Sequence, residues 1–268
     1  MANIKKNLDE AHEEIMYDQT EWPGDDIPFL DLHFISTRYR RALRLCNKKD
    51  VLEIGVGSSI GKAEMHNLTK SYSGIDLSSK NIKRVSEDCL NLELSFFQGN
   101  AENMPFEDNS FDTVIALAMV YYLDTKIFLK EVKRVLRPGG KLFFCTSNKE
   151  VPGFIKAPGS LEYLNINEWN EELSLAGFGV NFEGAFPKKS FFSLDLRANL
   201  IQFLKFLIIQ ILKQPNLWIA LRNYSKGSLV KIPSKLSDFP ETDEMISEIN
   251  SFEDTNNMVI YAICTSQK

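Results

Sequence analysis

The stretch VLEIGVGSSIG, Val51 to Gly61, sets three glycines within seven positions directly behind an apolar run. Such a run, followed by glycines, reads as a first parallel strand turning into a helix, where bare backbone amides and a helix N-terminus face a ligand. A tight structural turn has the same look, so the glycines alone leave both readings open. Their spacing says more. A dinucleotide site asks for G-x-G-x-x-G, and here Gly55 and Gly57 are followed by Ile60 where the third glycine belongs. A NAD-dependent oxidoreductase therefore stays only as an alternative.

Outward from this turn, strand-like and helix-like segments alternate, the pattern of a parallel sheet covered on both faces. The strands are expected at Val51 to Ile54, Tyr72 to Ile75, Leu94 to Gln98, Phe111 to Leu117 and Lys141 to Thr146, each preceded by a segment of helical character. Thr125 to Leu136 is the clearest helix: Ile127, Phe128, Val132, Val135 and Leu136 form an apolar face, and Arg137-Pro138-Gly139-Gly140 stops it. Two more strands, Phe178 to Glu183 and Met258 to Thr265, flank a long insertion. The fold class is α/β: a Rossmann-like, seven-stranded, mostly parallel sheet with helices on both faces, a final antiparallel strand and a helical insertion before it.

Composition agrees with one globular domain: 268 residues, 44% hydrophobic and 25% charged. The net charge of -5 argues against nucleic acid as a partner, and the local cluster of Arg38, Arg40, Arg41 and Arg44 reads as a solvated helix face. Cys46, Cys89, Cys145 and Cys264 show no C-x-x-C spacing and read as reduced core residues of a cytosolic protein. The N-terminal MANIKKNLDEAHEE lacks the apolar core of a signal peptide, so a cytoplasmic location is expected.

Successive strand ends supply the polar groups of a nucleoside site. Asp76 ends the second strand in GIDLS, beside the glycine turn, where a carboxylate accepts from ribose hydroxyls. Asp76 as a helix cap is the competing reading, although Ser78 and Ser79 can serve there. In FFQGNAENMPF the Asn100 oxygen suits an adenine amino group, and Ala101 leaves room for the ring.

VLEIGVGSS, GIDLS, GNAENMPFEDNSFDTVIA and FLKEVKRVLRPGGKLFF, in this order and spacing, resemble the class I S-adenosylmethionine (SAM) methyltransferases, in the bacterial branch similar to ubiquinone and menaquinone biosynthesis methyltransferases. The resemblance covers roughly residues 50 to 146 and implies SAM as cofactor. It also implies Glu53, Gly55 and Gly57 around the methionine moiety, Asp76 on the ribose, and Leu77 on one adenine face. Asn100 and Ala101 would meet the adenine edge, and Ala118 and Met119 the sulfonium end. Ser59 stands where many members have a third glycine, and Asn100 where aspartate is commoner. A single methyltransferase domain is implied, with an N-terminal cap over 1–45, a core over 46–186, an insertion or lid over 187–257 and the last strand over 258–268. Tyr17 or Trp22 of the cap is expected to touch the cofactor, with a surface loop holding a packed tryptophan as the alternative.

Methyl transfer asks chiefly for an in-line approach of the acceptor, so positioning is the main catalytic device. A small molecule is the expected acceptor and oxygen the expected atom, with nitrogen or carbon as alternatives; a SAM-binding module without turnover is the non-enzymatic alternative. An alcohol or phenol needs a base, and of His12, His33 and His66 the best candidate is His33, with helix packing as its plainer reading. Tyr121 and Tyr122 follow the fourth strand and either touch the acceptor or fill the core. No N/D-P-P-Y/F signature follows Ala116, which speaks against nucleic-acid nitrogens, and no carboxylate cluster suits a metal. In the insertion, Asn199, Gln202, Lys205, Gln210 and Lys213 form a narrow polar stripe on an otherwise apolar helix. A lid over an apolar acceptor, a dimer contact and an interfacial helix at a membrane surface remain open for it. The protein is expected to be a monomer or a homodimer.

Overall fold

A computed structural model of the chain describes residues 20–187, 228–241, 246–251 and 253–267. The expected lid helix with its polar stripe, Tyr17 and His12 lie outside the described residues.

The first elements are β1 (Asp26–Pro28), α1 (Phe29–Leu43), β2 (Asp50–Ile54), α2 (Lys62–Leu68), β3 (Ser71–Asp76), α3 (Ser79–Asp88), β4 (Ser95–Gln98) and β5 (Phe111–Leu117). After them come α4 (Thr125–Val135), β6 (Leu136–Ser147), α5 (Ile166–Leu175), β7 (Phe178–Pro187), β8 (Leu229–Lys231), β9 (Ile246–Glu248) and β10 (Asn257–Ser266). Helix starts follow local chemistry. Ser78 caps α3 by accepting from the Asn81 amide, Asp124 caps α4 from Lys126 and Ile127, and Asn165 with Glu168 closes a capping box on α5.

The main sheet runs β4-β3-β2-β5-β6-β10-β7-β9, parallel from β4 to β6 and antiparallel from β10 onward. Among the described residues it has eight strands where seven were expected. The addition is β9, three residues of the insertion paired with Glu183, Gly184 and Ala185 of β7; a strand that short carries no periodic signal. β8 also comes from the insertion and pairs with β1 in a separate two-stranded sheet. Another expectation fails between β4 and β5, where residues 99–110 form turns and no helix. That segment, GNAENMPFEDNS, holds Gly99, Pro105 and Asn109 and no helical apolar stripe.

Apolar side chains fill both sides of the sheet. All five residues of β2 are buried, as a strand covered on both faces requires. On one face Phe128, Leu129 and Val132 of α4 and Trp169 and Leu173 of α5 pack on Ile54, Val114 and Phe144. On the other, Leu32, Ile35, Tyr39 and Ala42 of α1 and Met65 of α2 pack on Val51, Ile115 and Phe143. The four cysteines are buried and unpaired, as expected. The arginine cluster does not form a solvated face. Arg40 donates to the Leu236 and Phe239 carbonyls, and Arg41 pairs with Glu183.

The turns after β4 are tied to α4. Arg134 donates to the carbonyls of Met104 (3.0 Å) and Phe106 (2.6 Å) and to Asp108 and Glu131, while Glu131 accepts from the Met104 amide. Arg134→Ala should cost about 2 kcal/mol in urea unfolding, because buried carbonyls lose a charged donor. Arg134→Lys should recover little, since a point charge does not reproduce the fork; full recovery would contradict this account.

Candidate active site

The first strand of the parallel set, β2, lies between β3 and β5, so the order reverses there and the chain leaves β3 and β5 in opposite directions. Such a switch point opens a crevice beyond the carboxyl ends of the strands. A cavity of about 570 Å³ occupies this place, of a size suited to a small ligand. Its walls include Glu53, Gly55 and Gly57 at the end of β2, Asp76 and Leu77 at the end of β3, Asn100 and Ala101 after β4, and Ala118, Met119, Tyr121 and Tyr122 after β5.

The glycine turn is held by the neighbouring strand end. Asp76 Oδ2 accepts from the Gly57 amide and Oδ1 from the Ser78 amide, both at 2.9 Å. Asp76 thus orders the loop, and helix capping falls to Ser78. Gly55 has φ +67°, the left-handed region that glycine enters freely, and an added Cβ would lie 2.9 Å from Met119 Cγ. Ser59, at the family's third glycine position, also has a positive φ of 46°. The cost of that backbone, of order 1 kcal/mol, is comparable to the gain from the hydrogen bond between its hydroxyl and Tyr72 (3.1 Å).

Glu53 lies beneath this loop, 1% exposed, and its two oxygens accept from Tyr39 (2.8 Å) and Tyr72 (2.6 Å). With the Tyr72 proton committed to Glu53, Ser59 is the donor toward Tyr72. Burial pushes the Glu53 carboxyl up from 4.5 to about 7, against the opposing pull of the two tyrosine hydrogen bonds.

On the other side of the cavity the wall is aromatic and apolar. Tyr121 stacks on Tyr163 with centroids 4.5 Å apart, Tyr163 meets Phe154 edge-on, and Tyr122 tilts against Tyr121. Leu161, 64% exposed, lines the same mouth and donates its amide to the Tyr121 carbonyl. Ala118 holds a strained φ of 58° at the end of β5, a backbone of the sort that concentrates at functional sites. Burial and neighbouring tyrosines push the Tyr121 phenol far up, so it stays protonated at neutral pH.

Apart from Trp22, every expected cofactor residue among those described lines this one cavity, together with Tyr121 and Tyr122. His33 is not among the lining residues; it meets Phe29 edge-on at 4.5 Å, and its Nδ1 is buried without a partner. His66, on α2, accepts from the Glu93 amide. Trp22 is buried against Val85 and Cys89 with Arg84 stacked on its ring, also away from the cavity, whereas its neighbours Thr20 and Glu21 do line it. Asn100 Oδ1 accepts from the Glu102 amide at 2.8 Å. Arg38 and Tyr39 are lining residues the sequence reading missed. A signal existed, because Arg38 falls at helical spacing between the buried Ile35 and Ala42.

A carboxyl whose folded pKa is raised is compatible with the fold while protonated and costs stability as pH climbs from the unfolded value through the folded one. For Glu53 that window runs from about 4.5 to 7, and the cost above it is on the order of 3 kcal/mol at about 1.4 kcal/mol per unit. Glu53→Gln should therefore gain melting temperature on the wild type between about pH 5 and pH 8, by several degrees. A difference that does not change with pH would show that this carboxyl does not titrate there.

Residues 52–144 match the family described as a methyltransferase domain. A probable phthiotriol/phenolphthiotriol dimycocerosates methyltransferase 2 from Mycobacterium ulcerans is 36% identical over 141 residues, which cover 50% of this chain and 54% of that protein. The phthiotriol/phenolphthiotriol dimycocerosates methyltransferase of Mycobacterium tuberculosis is 40% identical over 140 residues, covering 50% and 52%. The chain spans about half the length of these curated relatives. A solved SAM-dependent methyltransferase of Thermotoga maritima, described as a possible histamine N-methyltransferase, aligns with a TM-score of 0.53 at 16% identity, covering 90% of this chain and 92% of the other. That likeness speaks for the fold. The segment from residue 52 to residue 144, which builds the glycine turn and much of the crevice above it, is thus the part of the chain that matches the methyltransferase-domain family.

Proposed function

We propose that the protein transfers the methyl group of SAM to a hydroxyl oxygen of an apolar, lipid-like small molecule. The observation that carries this reading is the single crevice that joins the glycine turn and Asp76 to the aromatic wall of Tyr121, Tyr122 and Leu161. SAM fits the donor set: loop amides, a buried carboxylate beside them, and a volume of about 570 Å³. Once bound, it supplies an activated methyl on a positive sulfur.

The chain's own residues then bind and orient. Asp76 holds the loop amides and presents its carboxylate at the cavity wall, where it would accept from ribose hydroxyls. Leu77, 48% exposed, offers an apolar face to a base. The aromatic wall holds an apolar acceptor against the cofactor and excludes water, so the reaction gains mainly from proximity and orientation. Tyr121 stays protonated and acts as wall; His33, away from the cavity, receives no part in proton removal, and the hydroxyl proton passes to solvent at the exposed mouth beside Leu161 as the oxygen takes the methyl and the carbon–sulfur bond breaks. The names of the mycobacterial relatives supply the acceptor class: a triol carries alcohol oxygens on a lipid-like frame. Among the described residues no helix is long and apolar enough to cross a membrane.

Calorimetric titration should show SAM and S-adenosylhomocysteine binding and NADH not binding. Asp76→Ala should weaken both by about 10- to 100-fold, as loss of a charged hydrogen-bond acceptor implies. S-adenosylhomocysteine release in the presence of long-chain secondary alcohols should follow; binding without release on any alcohol, amine or activated carbon would turn the reading to a non-enzymatic module. Tyr121→Phe should keep turnover within about threefold, whereas Tyr121→Ala should lose about tenfold or more through the broken wall. Equal losses in both would assign the role to the hydroxyl instead.

A further inference from the structure

We propose that Tyr72 is a positioning residue for the cofactor loop and acts on it through Ser59. The inference rests on the methyltransferase reading and deepens it, because Tyr72 is not among the residues that line the crevice. Its ground is the backbone of the loop. Gly55, Gly57 and Ser59 stand at alternate positions, and all three hold a positive φ, of 67°, 49° and 46°. Glycine enters that region freely. Ser59 carries a Cβ, so a further interaction has to hold it there.

The surroundings of Ser59 identify that interaction. Val56, Gly57, Ser58 and Ile60 line the cavity, whereas Ser59 is fully buried behind them. Its hydroxyl donates to the Tyr72 oxygen at 3.1 Å, and Tyr72 in turn donates to Glu53 at 2.6 Å. Tyr72 is fixed independently of the loop. It lies on β3, 2% exposed, with its ring edge-on to Phe96. A side chain of the sheet thereby anchors the one residue of the three that does not take this backbone by itself.

Ser59 also carries the turn on both sides. Its amide donates to the Val56 carbonyl at 2.8 Å, which closes the turn around Gly57, and its carbonyl accepts from the Lys62 amide at 2.9 Å, at the start of α2. Rotation of residue 59 out of the left-handed region strains both contacts and displaces Gly57 and Ser58 at the cavity wall. A glycine at 59 reaches the same backbone unaided, but it reaches many others too. The Ser59–Tyr72 pair holds the unliganded loop in its binding shape, so a ligand meets amides already in place and less affinity is lost to ordering them. That gives a reason for serine at the family's third glycine position.

The test is calorimetric titration of the full chain with S-adenosylhomocysteine. Ser59→Ala keeps the Cβ and loses the hydroxyl, and should weaken binding about fivefold, the worth of one neutral hydrogen bond. Tyr72→Phe should weaken it by a similar factor. The deciding measurement is a double-mutant cycle. In a Ser59→Gly background the change Tyr72→Phe should cost less than about twofold, because the backbone no longer depends on the hydroxyl. The same loss in both backgrounds would show that Tyr72 acts through Glu53 or through stability alone, and would overturn the proposal; unchanged binding in Ser59→Ala would do so as well. If Tyr72→Phe does not fold, Ser59→Ala against Ser59→Gly decides: weaker binding with alanine than with glycine supports the anchor, and equal binding removes it. A wild type that binds neither SAM nor S-adenosylhomocysteine would end the methyltransferase reading itself, an outcome distinct from normal binding that ignores both hydroxyls.

Discussion

The buried carboxyl of Glu53 is the point on which the crevice is assembled. Tyr39 reaches it from α1 and Tyr72 from β3, so one side chain on β2 binds together three elements that meet below the glycine turn. A carboxyl in that position opposes folding when ionised, and two phenolic donors only partly offset the desolvation. The arrangement makes sense as stability given up at a functional site: a charged or easily charged group is kept where a ligand, rather than the protein, completes its surroundings.

Above that point the geometry follows from strand order. Because β2 precedes both the β3–β4 side and the β5–β6 side, loops that carry unlike chemistry open onto one space. The β3 and β4 ends are polar, with Asp76 and Asn100, while the β5 end and the segment before α5 are aromatic. A polar half and an apolar half are thereby set side by side, the arrangement that the proposed nucleoside cofactor and apolar acceptor would need. Arg134 and Glu131 extend the same organisation outward by fixing the turns after β4 to α4.

Much of this was legible in the sequence because the parallel strands are long, apolar and punctuated by glycine, and because each site residue sits at a strand end. The strand cores and α4 fall where periodicity put them, and the ends of β2, β3, β4 and β5 bring the expected cofactor residues to one cavity. What escaped was whatever depends on contacts distant in sequence. β9 gains its strand character from pairing with β7, not from its own residues. Arg38 looked like surface charge because its neighbours Arg40 and Arg41 are also basic, although its helical spacing from Ile35 and Ala42 sets it on the inner side of α1. His33 looked catalytic by residue type, yet its ring meets Phe29 instead of the crevice.

The small sheet of β1 and β8 carries a kinetic consequence. Its strands lie about two hundred positions apart, with Lys231 paired to Asp26 across 205 residues. Contacts of such separation close a large loop and form late, after local helices and neighbouring strands. The N-terminal segment that brings Thr20 and Glu21 to the cavity is thus clamped by residues synthesised some 205 positions later. During synthesis the parallel core has all its strands well before this clamp exists, so ligand affinity should mature last, as a final step separate from formation of the sheet.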